Sequence, residues 1–490
     1  MAIGPDPRGA LIALSRFGLG ARPGDLAAAA ADPRGFLLEE LRRPNVGRLE
    51  NASLAPSNVA LQALFADQQE KRMERERAMA AEATRVSMAG AAVGPGAAMA
   101  GPGPAAPPLG ADGKPKPQEP PVEQKLFRAE AMARFEKQAS AQAGFVERLV
   151  AFWSNHFAVS VAKGQILRVA AGPFEREAIR PHALGRFADL LAAVESHPAM
   201  LFYLDNQRSI GPGSAAGRFA GKGLNENLAR EILELHTLGV GGGYSQADVT
   251  ALARIITGWS FAEAESEIGE PGGFVFKANW HEPGAPALLG KHYPQTGREQ
   301  GAAALADIAR HPATATHIAT KLARHFIADA PPKPIVDTLA KTFRDTEGDL
   351  TAVAEALIAS DLAWSEPLAK IRTPDEYLMA AARATGALPN DPGQYLNMLN
   401  AMGMPLWQPP GPNGYPDSLD AWASPEAMKL RLDVAWQMAQ RLKDIGHPLS
   451  VLDTAAGLAA SRETREAASR AESRQQALAI LFMSPEFQRR

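Results

Sequence analysis

Residues 225–259 read NENLAREILELHTLGVGGGYSQADVTALARIITGW. The stretch encodes two helices joined by a glycine turn. At about 100° per residue, Glu226, Asn227, Arg230, Glu231 and Glu234 share one arc of roughly 140°. Leu228, Ile232 and Leu235 fall opposite, so the first helix is amphipathic. Gly239 stands where a helix stop is expected. The second helix opens with Ser245 and Asp248 in a capping-box pattern, and Val249, Leu252, Ile256 and Trp259 then recur on one face.

The same period extends outward. GFVERLVAFWSNHF (144–157) sets Phe145, Leu149, Phe152 and Trp153 at helical spacing. PIVDTLAKTFRDT (334–346) does so with Ile335, Leu339 and Phe343. TPDEYLMAAARATG (373–386) carries a start and a stop: Thr373 as cap, Pro374 at the first helical position, Glu376 closing the box, Gly386 ending the helix. Only GGFVFKANWHEPG (272–284) alternates as a strand does. The expected class is all-α, a large multi-helix body with at most one small hairpin near 273–290. Residues 88–124, dominated by Ala, Gly and Pro, bury too little apolar surface to offset their ordering entropy and read as a disordered insertion. They separate an N-terminal helical segment (1–87) from the main body (125–490), and the two are expected to form one unit. A second irregular stretch, 404–425, keeps Trp407, Tyr415 and Trp422, which points to an ordered loop.

Composition narrows the function classes. The chain has 490 residues, 46% of them hydrophobic, and a formal charge of −3. That balance argues against a dedicated nucleic-acid binder. Cysteine is absent, which removes disulfides, zinc–thiolate centres and thiol nucleophiles. No segment has the roughly 20 apolar residues of a membrane span. The N-terminal stretch lacks the basic and apolar regions of a signal peptide, so a cytoplasmic location is expected, or a periplasmic one if the N-terminus is processed.

Several segments taken together are similar to one bacterial family. They are FWSNHFAVS (152–160), IRPHALGRFADLLAAVESHPAMLFYLDN (179–206), the 225–259 stretch, HEPG with LLG (281–290) and ALAILFMSPEFQRR (477–490). They resemble the large domain of unknown function numbered 1800, from LSRFGLG (14–20) to the C-terminus. QPPGPNGYPD (408–417) looks like that family's Pro-Gly-aromatic loop, with Tyr415 where Trp is more usual. The resemblance implies a mostly helical protein and no established activity. It also implies export for many members and, by gene neighbourhood, a partner from a sulfatase-like family. The absence of an export signal here departs from that pattern.

The candidate chemistry centres on the 225–239 arc. Glu231 and Glu234 are clustered carboxylates suited to general acid–base work, and Arg230 can hold an anion or orient a carboxylate. The same two glutamates, at i and i+3, can share a divalent metal if His156, Asp205 and His281 converge on them. His236 projects about 160° from Glu234 on the helical wheel and falls outside that set. Neither Glu-x-x-His nor His-Glu-x-x-His is present in the stretch. Asn155, Asn206 and Asn227 are candidate hydrogen-bonding groups for a cofactor or small-molecule ligand. GPGSAAG (211–217) lacks the Gly-Lys-Ser/Thr of a phosphate loop, and no Gly-x-Ser-x-Gly nucleophile turn exists. Two functional readings stand. One is a metal- or anion-binding pocket, with enzymatic use of carboxylate and His groups. The other is a non-catalytic scaffold whose polar residues form a buried network and whose 404–425 loop meets a partner.

Overall fold

A computed structural model describes residues 5–92, 119–220, 223–365, 368–442 and 445–490. Many of its helices begin where a side chain accepts a backbone N–H of the first turn. Thr373 and Glu376 close a reciprocal capping box on Pro374–Thr385, and Gly386 ends that helix at φ +67°. Ser245 and Asp248 do the same for Gln246–Ile255. Phe145–His156 starts differently. The buried Glu40 carboxylate accepts the backbone N–H groups of Ala143, Gly144 and Val146 at 2.7, 3.0 and 2.9 Å.

Helix dominates, and among the described residues the strands form two short antiparallel ladders. β1 (Trp259–Phe261) pairs with β2 (Phe274–Phe276), and β3 (Ala287–Leu288) with β4 (Lys291–His292). The sequence pattern predicts at most one small hairpin and places Trp259 on the preceding helix. Instead the helix ends at Ile255, Gly258 turns the chain at φ +81°, and Trp259 opens β1 opposite Phe276. A Cβ at Gly258 would lie 2.6 Å from the Lys277 carbonyl oxygen, so only glycine permits that approach of the two strands.

Helix meets the proposed insertion at both ends. Ser57–Ala92 runs into it and Val122–Ser140 leads out, so residues 88–92 and 122–124 are helical. Residues 93–118 lie outside the described residues. The charged run on Ser57–Ala92 is exposed from Lys71 to Arg85, as a solvated helix should be.

One hydrophobic core extends from Ala10 to Phe487. Phe17, Phe145 and Phe326 pack together within it, Phe145 edge-on to the other two, with centroids 5.5–6.1 Å apart. Residues near the N-terminus are bound to distant parts of the chain: Arg16 donates to the Ala363 carbonyl, and Arg383 to the Gly20 carbonyl. Pro312–Phe326 packs on Lys333–Asp345, and Pro425–Arg441 on Arg474–Met483. Among the described residues, no helix is long and apolar enough to cross a membrane.

Candidate functional site

The 225–239 stretch is not one regular helix. Asn227–Glu231 is α-helical, and Ile232–His236 widens into a π-helical turn. The wide turn holds one more residue than an α-turn, so a wheel at 100° per residue loses phase beyond Glu231. Gly239, at φ +83°, ends the segment and donates to the Leu233 carbonyl at 3.1 Å. A Cβ there would lie 2.5 Å from Nδ1 of His317.

The polar arc divides among separate partners. Arg230 donates to Glu226 at 3.3 Å and to Gln246 at 2.9 Å, and Thr250 donates to Glu226 at 2.7 Å. Glu234 accepts from the Tyr244 hydroxyl at 3.3 Å. Asn227 is exposed. Glu231 is half-buried, and that burial raises its carboxyl above the usual range. His236 is wholly buried, with Nδ1 2.8 Å from Glu195.

The other predicted residues disperse as well. Asp205, at φ +59°, pairs with Lys163 at 2.7 Å. Buried Asn206 donates to the carbonyls of Ile256 and Trp259. Nδ1 of His281 bonds the Thr257 carbonyl at 3.0 Å. Among the described residues, no three His, Asp or Glu side chains gather as a metal-ligand group. His156, Asp205, Glu231, Glu234 and His281 thus each face different neighbours.

Asn155 and His156 do meet a cavity. It has a volume of about 350 Å³ and lies beneath the 404–417 segment. Asn155 clamps its roof: Nδ2 donates to the Tyr415 carbonyl at 2.9 Å, and the Tyr415 amide donates back to Oδ1 at 2.7 Å. Gly414, at φ +77°, is required there, since a Cβ would lie 2.3 Å from the Asn155 carbonyl oxygen. The loop's aromatic groups bond inward. The Trp407 indole reaches Glu175, the Tyr415 hydroxyl reaches the Pro405 carbonyl, and the Trp422 indole reaches the Pro416 carbonyl.

The cavity wall comes from one face of Pro312–Phe326. His317, Lys321, Arg324 and His325 line it at i, i+4, i+7 and i+8. Asp375, Glu376 and Asp417 also line it, and each is already engaged by cations. Asp375 pairs with Arg134 at 3.1 Å, and Glu376 with Arg148 and Arg490 at 2.7 Å each. Asp417 holds Nδ1 of His325 at 2.8 Å, Lys370 at 2.9 Å and Arg490 at 3.3 Å. Two alternating ion chains result, largely buried except at the exposed Asp329. One runs Glu147–Arg180–Glu175–Arg134–Asp375. The other runs Arg148–Glu376–Arg490–Asp417–Lys370–Asp329.

Burial would raise the Glu376 carboxyl, but Arg148 and Arg490 outweigh it and bring it down to about 2. Asp417 is likewise held far below its usual range, with His325, Arg490 and Lys370 overcoming burial. The helix face shifts the other way. Burial lowers Lys321 to about 8, assisted by Arg324. Burial, then Lys321, lowers His317 to about 4 and His156 well below its ordinary value. Both imidazoles are therefore neutral near pH 7. Nε2 of His156 lies 3.0 Å from the His236 carbonyl and Nε2 of His317 lies 3.1 Å from that of Leu235, so Nε2 carries the proton in each.

Residues 12–489 match the family described as "Protein of unknown function (DUF1800)". The chain belongs to the DUF1800 family. No curated protein and no solved structure matches it. In this DUF1800 protein the 225–239 block abuts the cavity without forming its polar wall. Leu235 lines it, while the carbonyls of Leu235 and His236 orient His317 and His156.

Most of the DUF1800 cavity's charged groups are absent from the candidate set read from sequence. One signal was present: HIATKLARH (317–325) repeats polar residues at i, i+4, i+7 and i+8. Asp375 and Glu376 read simply as first-turn acids of a capped helix, and Arg490 sits in no periodic pattern.

Proposed function

We propose that this protein binds a small organic anion in the cavity beneath the 404–417 loop, with Lys321 and Arg324 as its cationic groups. One observation supports the reading above the rest. Every carboxylate lining the cavity is already paired, whereas Lys321, among the described residues, forms no hydrogen bond or ion pair. Among the described residues, Arg324 donates its Nε–H to the Asp329 carbonyl at 3.2 Å and makes no hydrogen bond through its other donors. A half-buried ammonium beside a guanidinium gains most from an anion that supplies both a countercharge and acceptor atoms. The cavity, about 350 Å³, has ample room for a small organic anion.

Calorimetric titration of the full chain with acetate, oxalate, sulfate and phosphate tests this. Saturable binding is expected, weakened about 10- to 100-fold by Lys321→Met or Arg324→Gln, as fits a lost charged hydrogen bond. If none of these anions binds, or both variants bind as the parent does, the pocket reading fails. The scaffold reading, in which the two buried ion chains serve only packing, then takes its place.

A further inference from the structure

Lys321 lies between His317, four residues before it, and Arg324, three residues after it, on the cavity side of one helix. As an ammonium it meets a guanidinium and has lost part of its water, and the free amine escapes both costs. This accords with its lowering to about 8. A desolvated amine is a nucleophile toward carbonyl carbon. A proton acceptor lines the same cavity. With Nε2–H of His156 directed at the His236 carbonyl, Nδ1 is left as a buried lone pair without a partner. After burial, the charge of Lys321 is the strongest influence depressing that ring.

We propose that Lys321 forms an imine with an oxo acid, a carbonyl compound whose carboxylate is received by Arg324. This inference rests on the anion-pocket reading. The Nζ lone pair attacks the carbonyl carbon, a C–N bond forms, and the C=O π pair moves to oxygen. Nδ1 of His156 takes a proton from nitrogen and returns it to that oxygen. Loss of the remaining N–H proton then forms C=N as the C–O bond breaks. Both amine hydrogens leave in the released water, so no oxidant, reductant or cofactor is consumed.

The full chain is incubated with pyruvate and then sodium borohydride, which reduces the imine to a stable secondary amine, and the peptides are mapped by mass spectrometry. One adduct is expected, at Lys321. At saturating pyruvate it should increase as the pH rises through about 8. It should be suppressed by acetate and missing when acetone replaces pyruvate. The surface lysines of the same sample are internal controls, so the wild-type map is decisive even if Lys321→Met folds poorly. Adducts spread over surface lysines, or none, together with anion binding that Arg324→Gln weakens, overturn the imine and leave the pocket standing. Absence of both adduct and anion binding overturns both.

Discussion

A lysine in a cavity makes ligand binding and proton binding the same event. Lys321 is brought down to about 8 by burial and Arg324, and an anion beside it favours the charged form. Binding should therefore take up a proton once the pH passes about 8, and affinity should fall above that point. Calorimetry in two buffers of different ionisation enthalpy at pH 9 reads this directly. An uptake approaching one proton per ligand is expected at pH 9, and close to none at pH 6.5. The neighbouring imidazoles do not contribute in that range, because His317 is lowered to about 4 and His156 is also lowered.

At the scale of elements, the placement of Phe145–His156 determines whether Asn155 and His156 reach the cavity. That placement rests on Glu40, which belongs to Pro33–Leu41 and satisfies three backbone donors at the start of the later helix. Glu40→Ala leaves three buried N–H groups without an acceptor and should cost at least about 3 kcal/mol, read as a lowered denaturant midpoint. Glu40→Gln retains an acceptor and should cost less. The contrast shows what was legible beforehand. Caps within one helix, such as Thr373 with Glu376, are local and were read correctly. A cap supplied by a residue more than a hundred positions away has no local signature. The π turn at Ile232–His236 escaped for a related reason, since a helical wheel presumes the hydrogen-bond register that the structure alters. Asn155 and His156 stand out in the sequence because they follow an apolar helical stripe, and both line the cavity. The His317–His325 face resembled any amphipathic helix until its opposite wall was known.

On the scale of the whole molecule, the two ion chains converge on adjacent residues, Asp375 and Glu376. Acid should act on the protein in two stages. His156, His317 and His325 all lie below 6.5 in the folded chain, so the unfolded chain binds more protons as the pH falls below 6.5. Stability held above 6.5 is lost progressively toward about 4. Glu376 and Asp417 are depressed carboxylates, so their share is present above their ordinary range and lost as the pH falls toward about 2. The melting temperature should decline from pH 6.5 and steepen below about 4.5. His317→Gln should make the first stage shallower and leave the second unchanged, and an unchanged first-stage slope in that variant would count against the assignment.

The long span of these pairings bears on how the protein is made. Glu376 meets Arg148 across 228 positions and Arg490 across another 114. A ribosome delivers those partners one after another, so a nascent chain can form its early helices long before Glu376 has both guanidiniums. During that interval Arg148 is an uncompensated charge in a half-built interior. The Glu376 wall of the cavity is therefore complete only once residue 490 has emerged.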